Sequence, residues 1–241
     1  MRAMKTATAA KGERRAHRKA KDRRRRDERL SMQVLGGIME PELYERVLAA
    51  AQGLDLEAPW DAVAPMILPV LKRVHHPYPP AAAPVQIQVP PGIWTGFGID
   101  FGPAFGHVTA AMTERWGVDR AMLLGASLDN LRRLVADEPP QVQRFDYEGC
   151  EMVGVQGQGW GSSLLLLPDL LGAILGPAPR TLLAPVRNTL IAMPDDVEAD
   201  LAIGVWHALA DGAHDELAVD PLRWNGTAVV AIGDRSMGLA N

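Results

Sequence analysis

One cysteine, Cys150, stands in 241 residues, which excludes an intramolecular disulfide and any zinc site built from several thiolates. That scarcity suits a reducing cytoplasm. Long apolar runs are also missing. The most apolar stretch, Leu164 to Leu175, is interrupted by Pro168, Asp169 and Gly172, so it is too short for a membrane span and has the length of a core helix. The basic N-terminus has no apolar segment behind it, which argues against a secretory signal. No HExxH, nucleophile elbow or CxxC occurs, and no pair of carboxylates can be assigned acid and base roles. These absences weigh against the common enzyme classes, and no cofactor or metal is expected.

What is present is sharply polarised. Residues 1–30 hold 13 Lys/Arg against 4 Asp/Glu, while the rest of the chain holds 12 against 25. The two parts therefore carry net charges of +9 and −13 and call for separate readings. Within Lys11–Arg29 the only apolar residues are alanines, so a helix there would be polar all round and without a stabilising face. A solvated, disordered segment is expected over 1–31. Arg14, Arg15, Arg18, Lys19, Arg23, Arg24, Arg25 and Arg26 are the candidate polyanion-binding residues, because guanidinium groups pair bidentately with phosphate. No aromatic residue interleaves them, so base stacking is not indicated. Folding of this segment against the acidic body, and translation from Met32 instead, remain open alternatives.

Periodicity organises the body. Pro41 opens a helix that Gly53 ends. A second helix is expected over 61–75 from Val63, Met66, Ile67, Val70, Leu71 and Val74, kinked at Pro69. A proline-rich linker with Pro77, Pro79, Pro80 and Pro84 follows. Strands are expected at 85–89, 94–100 and 107–110, with a turn at Gly102–Pro103. Asp119 should cap a helix over 120–136. A hairpin is expected around Glu148–Gly149, and Ser162 or Ser163 should cap a helix running to Ile174. Strands at 181–185 and 189–193 flank a turn at Arg187–Asn188, and a helix follows over 197–210. A turn at Asn225–Gly226 precedes a last strand. With no strict βαβ rhythm, the expected class is α+β: helices packed on an antiparallel sheet. The expected organisation is a basic segment 1–31, a helical segment and linker 32–80, and an α+β domain 81–241.

Few residues carry a chemical signal. Gly154, Gly157, Gly159 and Gly161 lie between a strand and a helix, where backbone amides can cradle an anion. Their spacing matches neither the dinucleotide fingerprint nor a Walker loop, and a loop needing conformational freedom is the simpler account. The candidate anion pocket comprises Gly159, Gly161, Ser162, Ser163 and Arg187. His207, Asp211 and His214 offer metal-ligand types on one helix, but Gly212 should end that helix before His214. His75 and His76 close a helix in the same way. Cys150 has no activating base nearby in sequence and is expected to be a packed thiol. Trp94, Trp116, Trp160 and Trp206 are expected to anchor the core, with Trp160, in its glycine setting, the most exposed.

Three segments, within roughly residues 94–194, resemble an uncharacterised bacterial family, the YtpQ-like proteins. GIDFGPAFGHVTAAMTERWGVDRAMLLGASLDNLRRL, residues 98–134, is similar to the family's strand pair, turn and helix bearing Asn-Leu, here Asn130-Leu131. GSSLLLLPDLL, residues 161–171, resembles its serine-led leucine helix. LLAPVRNTLIAMP, residues 182–194, resembles its Pro-x-Arg-Asp strand turn, with Asn188 in the place of Asp. The resemblance implies a fold pattern and no activity or cofactor.

The expectation is a non-catalytic cytoplasmic interaction protein without a membrane span. Its acidic domain meets a protein partner, and its Arg-rich segment meets nucleic acid or another polyanion. The alternative is a small enzyme or ligand-binding domain using the pocket near Gly157–Ser163 and Arg187.

Overall fold

The computed structural model describes residues 58–72, 84–89, 93–100, 105–211, 213, 217 and 219–232. All belong to one compact unit formed by Leu56–Asp100 and Phe105–Asn241. The basic segment, the helix opened by Pro41, His75, His76, His214 and the Gly102–Pro103 turn lie outside the described residues. The architecture is α+β, with two antiparallel sheets and helices packed on them.

The smaller sheet is built around its third strand. β1 (Ile67–Lys72), β2 (Gln86–Gln88), β3 (Trp94–Asp100) and β4 (Phe105–His107) all pair antiparallel with or through β3. β2 meets Trp94–Gly96 and β4 meets Gly98–Asp100, while β1 runs the length of β3 with Ile67 opposite Ile99.

β1 corrects the helix expected over 61–75. Only α1 (Trp60–Val63) and a 3-10 turn (Ala64–Met66) are helical before the chain extends. Ile67, Leu68, Val70 and Leu71 are all buried. A short apolar run covered on both sides satisfies helical spacing and strand burial alike, and here β pairing decides. Pro69 sits where proline is tolerated in a sheet, on a strand whose one partner among the described strands is β3.

Two helices follow. α2 (Ala110–Trp116) begins at the last residue of the strand expected over 107–110 and runs through residues for which no element was expected. Thr109 accepts a hydrogen bond from the Met112 amide at its start, and Gly117 at φ 65° closes it. α3 (Arg120–Asp137) begins as expected, with the Asp119 carboxylate accepting from the Met122 amide at 2.8 Å. Its buried stripe is Leu123, Ser127, Asn130, Leu131 and Val135, whereas Met122 faces solvent.

The larger sheet has the order β10-β9-β7-β8-β6-β5. Its strands are β5 (Gln141–Tyr147), β6 (Cys150–Gln156), β7 (Arg180–Val186), β8 (Thr189–Pro194), β9 (Leu222–Trp224) and β10 (Val229–Ala231). β5 and β6 form the expected hairpin: Glu148 and Gly149 take φ 53° and 79°, the double positive φ of a two-residue turn whose twist matches the strands. The register of β7 against β8 shifts between Leu183 and Val186, which accommodates Pro185, a residue that cannot donate to a ladder.

Both faces of the central strands of this sheet are covered. α5 (Ala199–Ala210) lays Ala202, Trp206 and Ala210 over Met152, Leu183, Ile191 and Met193. On the opposite face, Val153, Val155, Leu182, Leu190 and Ala192 join a cluster with Leu164–Leu167 and Leu171. That cluster continues through Leu131 and Val135 to Leu68 and Leu71, so one core joins the two sheets.

A single carboxamide fastens α3 to the start of β1. Asn130 is buried, and its Nδ2 donates to the carbonyls of Ala64 and Ile67, each at 2.7 Å. Truncation leaves two acceptors without this donor, at about 1–3 kcal/mol for each that stays dry. Asn130→Ala should therefore lower stability by about 2–3 kcal/mol in urea unfolding, against almost no change for Asp129→Ala on the exposed face of the same helix.

Candidate functional site

The Gly-rich segment and Arg187 do meet, through the backbone. After β6, the Gly157 amide donates to the Asn188 carbonyl at 3.0 Å. The Ser162 amide and hydroxyl both donate to the Arg187 carbonyl, at 3.0 and 2.9 Å. The Trp160 carbonyl accepts from the Ser163 amide at 2.8 Å. The loop is thus stitched to the β7–β8 turn, and the Gly157, Trp160, Ser162 and Ser163 amides, four of the donors that an anion cradle could use, are already engaged.

The glycines answer to packing. A Cβ on Gly161 would stand 2.2 Å from the Asn188 oxygen, and one on Gly157 would stand 2.7 Å from the Trp160 ring. Both separations are below any tolerable contact, so the close approach itself demands glycine. Gly159 needs its freedom for a different reason, a φ of 74°. Gly154 lies inside β6, under the Phe145 ring.

Ser162 and Ser163 do not cap a helix. They lie buried in a 3-10 helix (Gly161–Leu166) that has no side-chain cap, and α4 (Pro168–Leu175) then starts afresh with Pro168 at its first position. Leu167, immediately before that proline, sits at φ −121°, ψ 72°, outside the helical region that proline disfavours in its predecessor. Trp160 corrects a second expectation: it is only 3% exposed. Its glycine neighbours let the chain close over the indole, and the ring lies against Gly157.

Two cavities adjoin this loop. The one reached by Arg187, Gly159, Ser162 and Ser163 is about 10 Å³, room for about one water and far too small for a phosphate. The other, about 280 Å³, is bounded by Glu138, Gln141, Gln156, Gln158, Asn188 and the Trp160 ring among others. Its polar lining is one carboxylate and four carboxamides, with no cationic side chain, which gives an anion no counter-charge. The indole Nε1 of Trp160 is buried without a hydrogen-bond partner.

The other sequence candidates remain apart. His207 is in the last turn of α5, edge-on to Trp206 with centroids 5.1 Å apart, and Asp211 follows the helix end in an extended conformation. Among the described residues, no group of three or more His, Cys, Asp or Glu is placed to hold a metal ion. Cys150 is a free, half-buried thiol whose pKa is raised, by desolvation first and then by Asp146 and Asp196, with Arg180 opposing. The eight basic residues from Arg14 to Arg26 lie outside the described residues. Compared with family models, curated proteins and solved structures, the chain matches none. No helix among the described residues is long and apolar enough to cross a membrane.

Two outcomes test this account. Gly161→Ala should cost about 2 kcal/mol or more, because backbone must move, while Gly125→Ala on the open face of α3 should stabilise by about 0.5–1 kcal/mol; thermal melts of both decide it. Alkylation of Cys150 by iodoacetamide should be slow at neutral pH and still accelerating beyond about pH 9, since only the thiolate reacts.

Proposed function

We propose that this chain is a non-catalytic interaction protein of the cytoplasm, whose Arg-rich segment binds a polyanion and whose acidic body docks another polypeptide. The observation that carries the reading is the division of charge, +9 over residues 1–30 and −13 over the remainder. Guanidinium-dense segments gain affinity for phosphate backbones through counterion release, without a folded pocket. The acidic body is repelled by the same polyanion, so it is left to make a different contact. An exposed strand edge, β5, is the feature of the body best suited to that contact. It carries Val142, Phe145 and Tyr147 at 43%, 40% and 46% exposure.

The rival reading, a ligand site at Gly159–Ser163 and Arg187, has proximity in its favour. Against it stand the engaged amides, the 10 Å³ cavity and the absence of a cation around the larger one.

Fluorescence anisotropy with a labelled RNA duplex tests the proposal. Binding should weaken about a thousandfold between about 50 and 200 mM salt if some six phosphates are contacted, and should vanish when residues 1–31 are deleted. Binding that survives the deletion, or that ignores salt, refutes the polyanion assignment.

A further inference from the structure

The sheet edges of this molecule are protected unequally. β2, β4 and β10 are three residues long, and β1 contains Pro69. Short strands and proline are the usual means by which an edge is kept from pairing with another chain. β5 has neither. It is seven residues long, contains no proline or lysine, keeps an unbroken register with β6 and is exposed at every position. Among the described strands it pairs with β6 alone.

Its free hydrogen-bonding groups can be assigned. Tyr147 and Cys150 flank the two-residue turn and face each other, so they form the hydrogen-bonded pair that closes the hairpin. Bonded and non-bonded pairs alternate along an antiparallel ladder. Tyr147, Phe145 and Gln143 therefore turn their backbone groups toward β6, and Asp146, Arg144 and Val142 turn theirs outward.

We propose that the occupant of this edge is a second copy of the same chain, its β5 antiparallel to the first about a two-fold axis at Phe145. This rests on reading the body as a docking domain and names its partner. In that register Arg144 lies opposite the partner's Asp146, twice by symmetry, and these are the residues whose amides and carbonyls point outward. Phe145 faces its own symmetry mate as a non-bonded pair, where side chains approach most closely, and Gln143 faces Tyr147. Shifting the axis to Arg144 or Asp146 would instead oppose like charges, which is destabilising across a strand pair. The segment Arg144-Phe145-Asp146 is thus complementary to itself in one register, as an isologous interface requires. Three intrachain contacts are compatible with it. Arg144 reaches Glu151 and the Ile174 carbonyl, and Asp146 Oδ1 accepts from the Gly149 amide, leaving Oδ2 for the partner. The result is a continuous sheet through both copies.

Sedimentation velocity on the nuclease-treated full chain tests the pairing. The native chain should dimerise reversibly. Arg144→Asp and Asp146→Arg should each weaken the dimer roughly tenfold or more. The double variant R144D/D146R, and an equimolar mixture of the two single variants, should recover it, because each restores opposite charges across the axis. A dimer indifferent to the single changes overturns the interface; so does failure of both the double variant and the mixture to recover. A second readout does not depend on charge. Phe145→Cys in a Cys150→Ala background should cross-link on mild oxidation, since facing non-bonded residues have Cα atoms about 4.5 Å apart. Gln143→Cys in that background should not. A native chain that stays monomeric refutes the second copy, and hydrogen exchange then locates the failure. Fast exchange at the amides of Val142, Arg144 and Asp146 leaves the edge open to another polypeptide. Slow exchange in the monomer means the edge is already covered, and the docking reading falls as well.

Discussion

The contact on which the body most depends is the clasp between the Gly157–Ser162 loop and the Arg187–Asn188 turn. Gly161 brings two stretches of backbone closer than any side chain allows. The Gly157 and Ser162 amides and the Ser162 hydroxyl then fill the turn carbonyls. With the loop held there, the leucines at 164–167 are delivered to the middle of the core that joins both sheets. Burial supplies most of the free energy, at about 25 cal/mol per Å² of apolar surface, but it is non-directional. The hydrogen-bonded clasp determines which leucine meets which strand. Asn130 does the equivalent work at the other end of the core, tying α3 to the start of β1.

The same clasp explains why the most suggestive motif in the chain is chemically quiet. A phosphate cradle needs amides that point at empty space. Here the Gly157, Ser162 and Ser163 amides point at carbonyls. Serine hydroxyls beside an arginine look like a pocket in one dimension, yet Ser162 spends its donor on the Arg187 backbone. Polar groups already satisfied inside a protein are poor recognition elements, because a ligand would have to replace bonds already made. Among the described residues, unspent capacity has to be sought along β5.

Legibility followed local chemistry. The β5–β6 hairpin was readable because Glu148–Gly149 is a turn signal set between alternating segments, and α3 because Asp119 is a cap set before a helical stripe. The α+β class followed from the same marks. β1 was hidden because Ile67, Val70 and Leu71 fit a helix face, and only pairing with β3, some thirty residues away in sequence, makes them a strand. The unity of Leu164–Leu175 was illusory: Pro168 forces Leu167 out of the helix, and the run becomes two short ones. Trp160 was misjudged for a related reason. Glycines in sequence suggest openness, while their use here is to let backbone and indole come together. The alternative reading required Arg187 to converge with Ser162, and it does, but a linear sequence does not say whether a side chain or a carbonyl will be the part presented.

The two proposed contacts bear on each other. A body of net charge −13 faces self-repulsion when it pairs with a copy of itself, though exposed charges farther apart than about 8 Å are largely screened at physiological salt. The axis at Phe145 answers the short-range part by placing Arg144 against the partner's Asp146. Pairing also joins two Arg-rich segments in one particle. Once the first holds a polyanion, the second binds at an effective concentration set by the connecting chain, so avidity can exceed either single affinity by about 10²–10⁴ where both reach the same strand. A segment that binds phosphate without sequence preference gains most from such doubling, because its individual contacts are weak at physiological salt. On the two proposals, the edge strand and the basic segment would be complementary parts of one binding strategy.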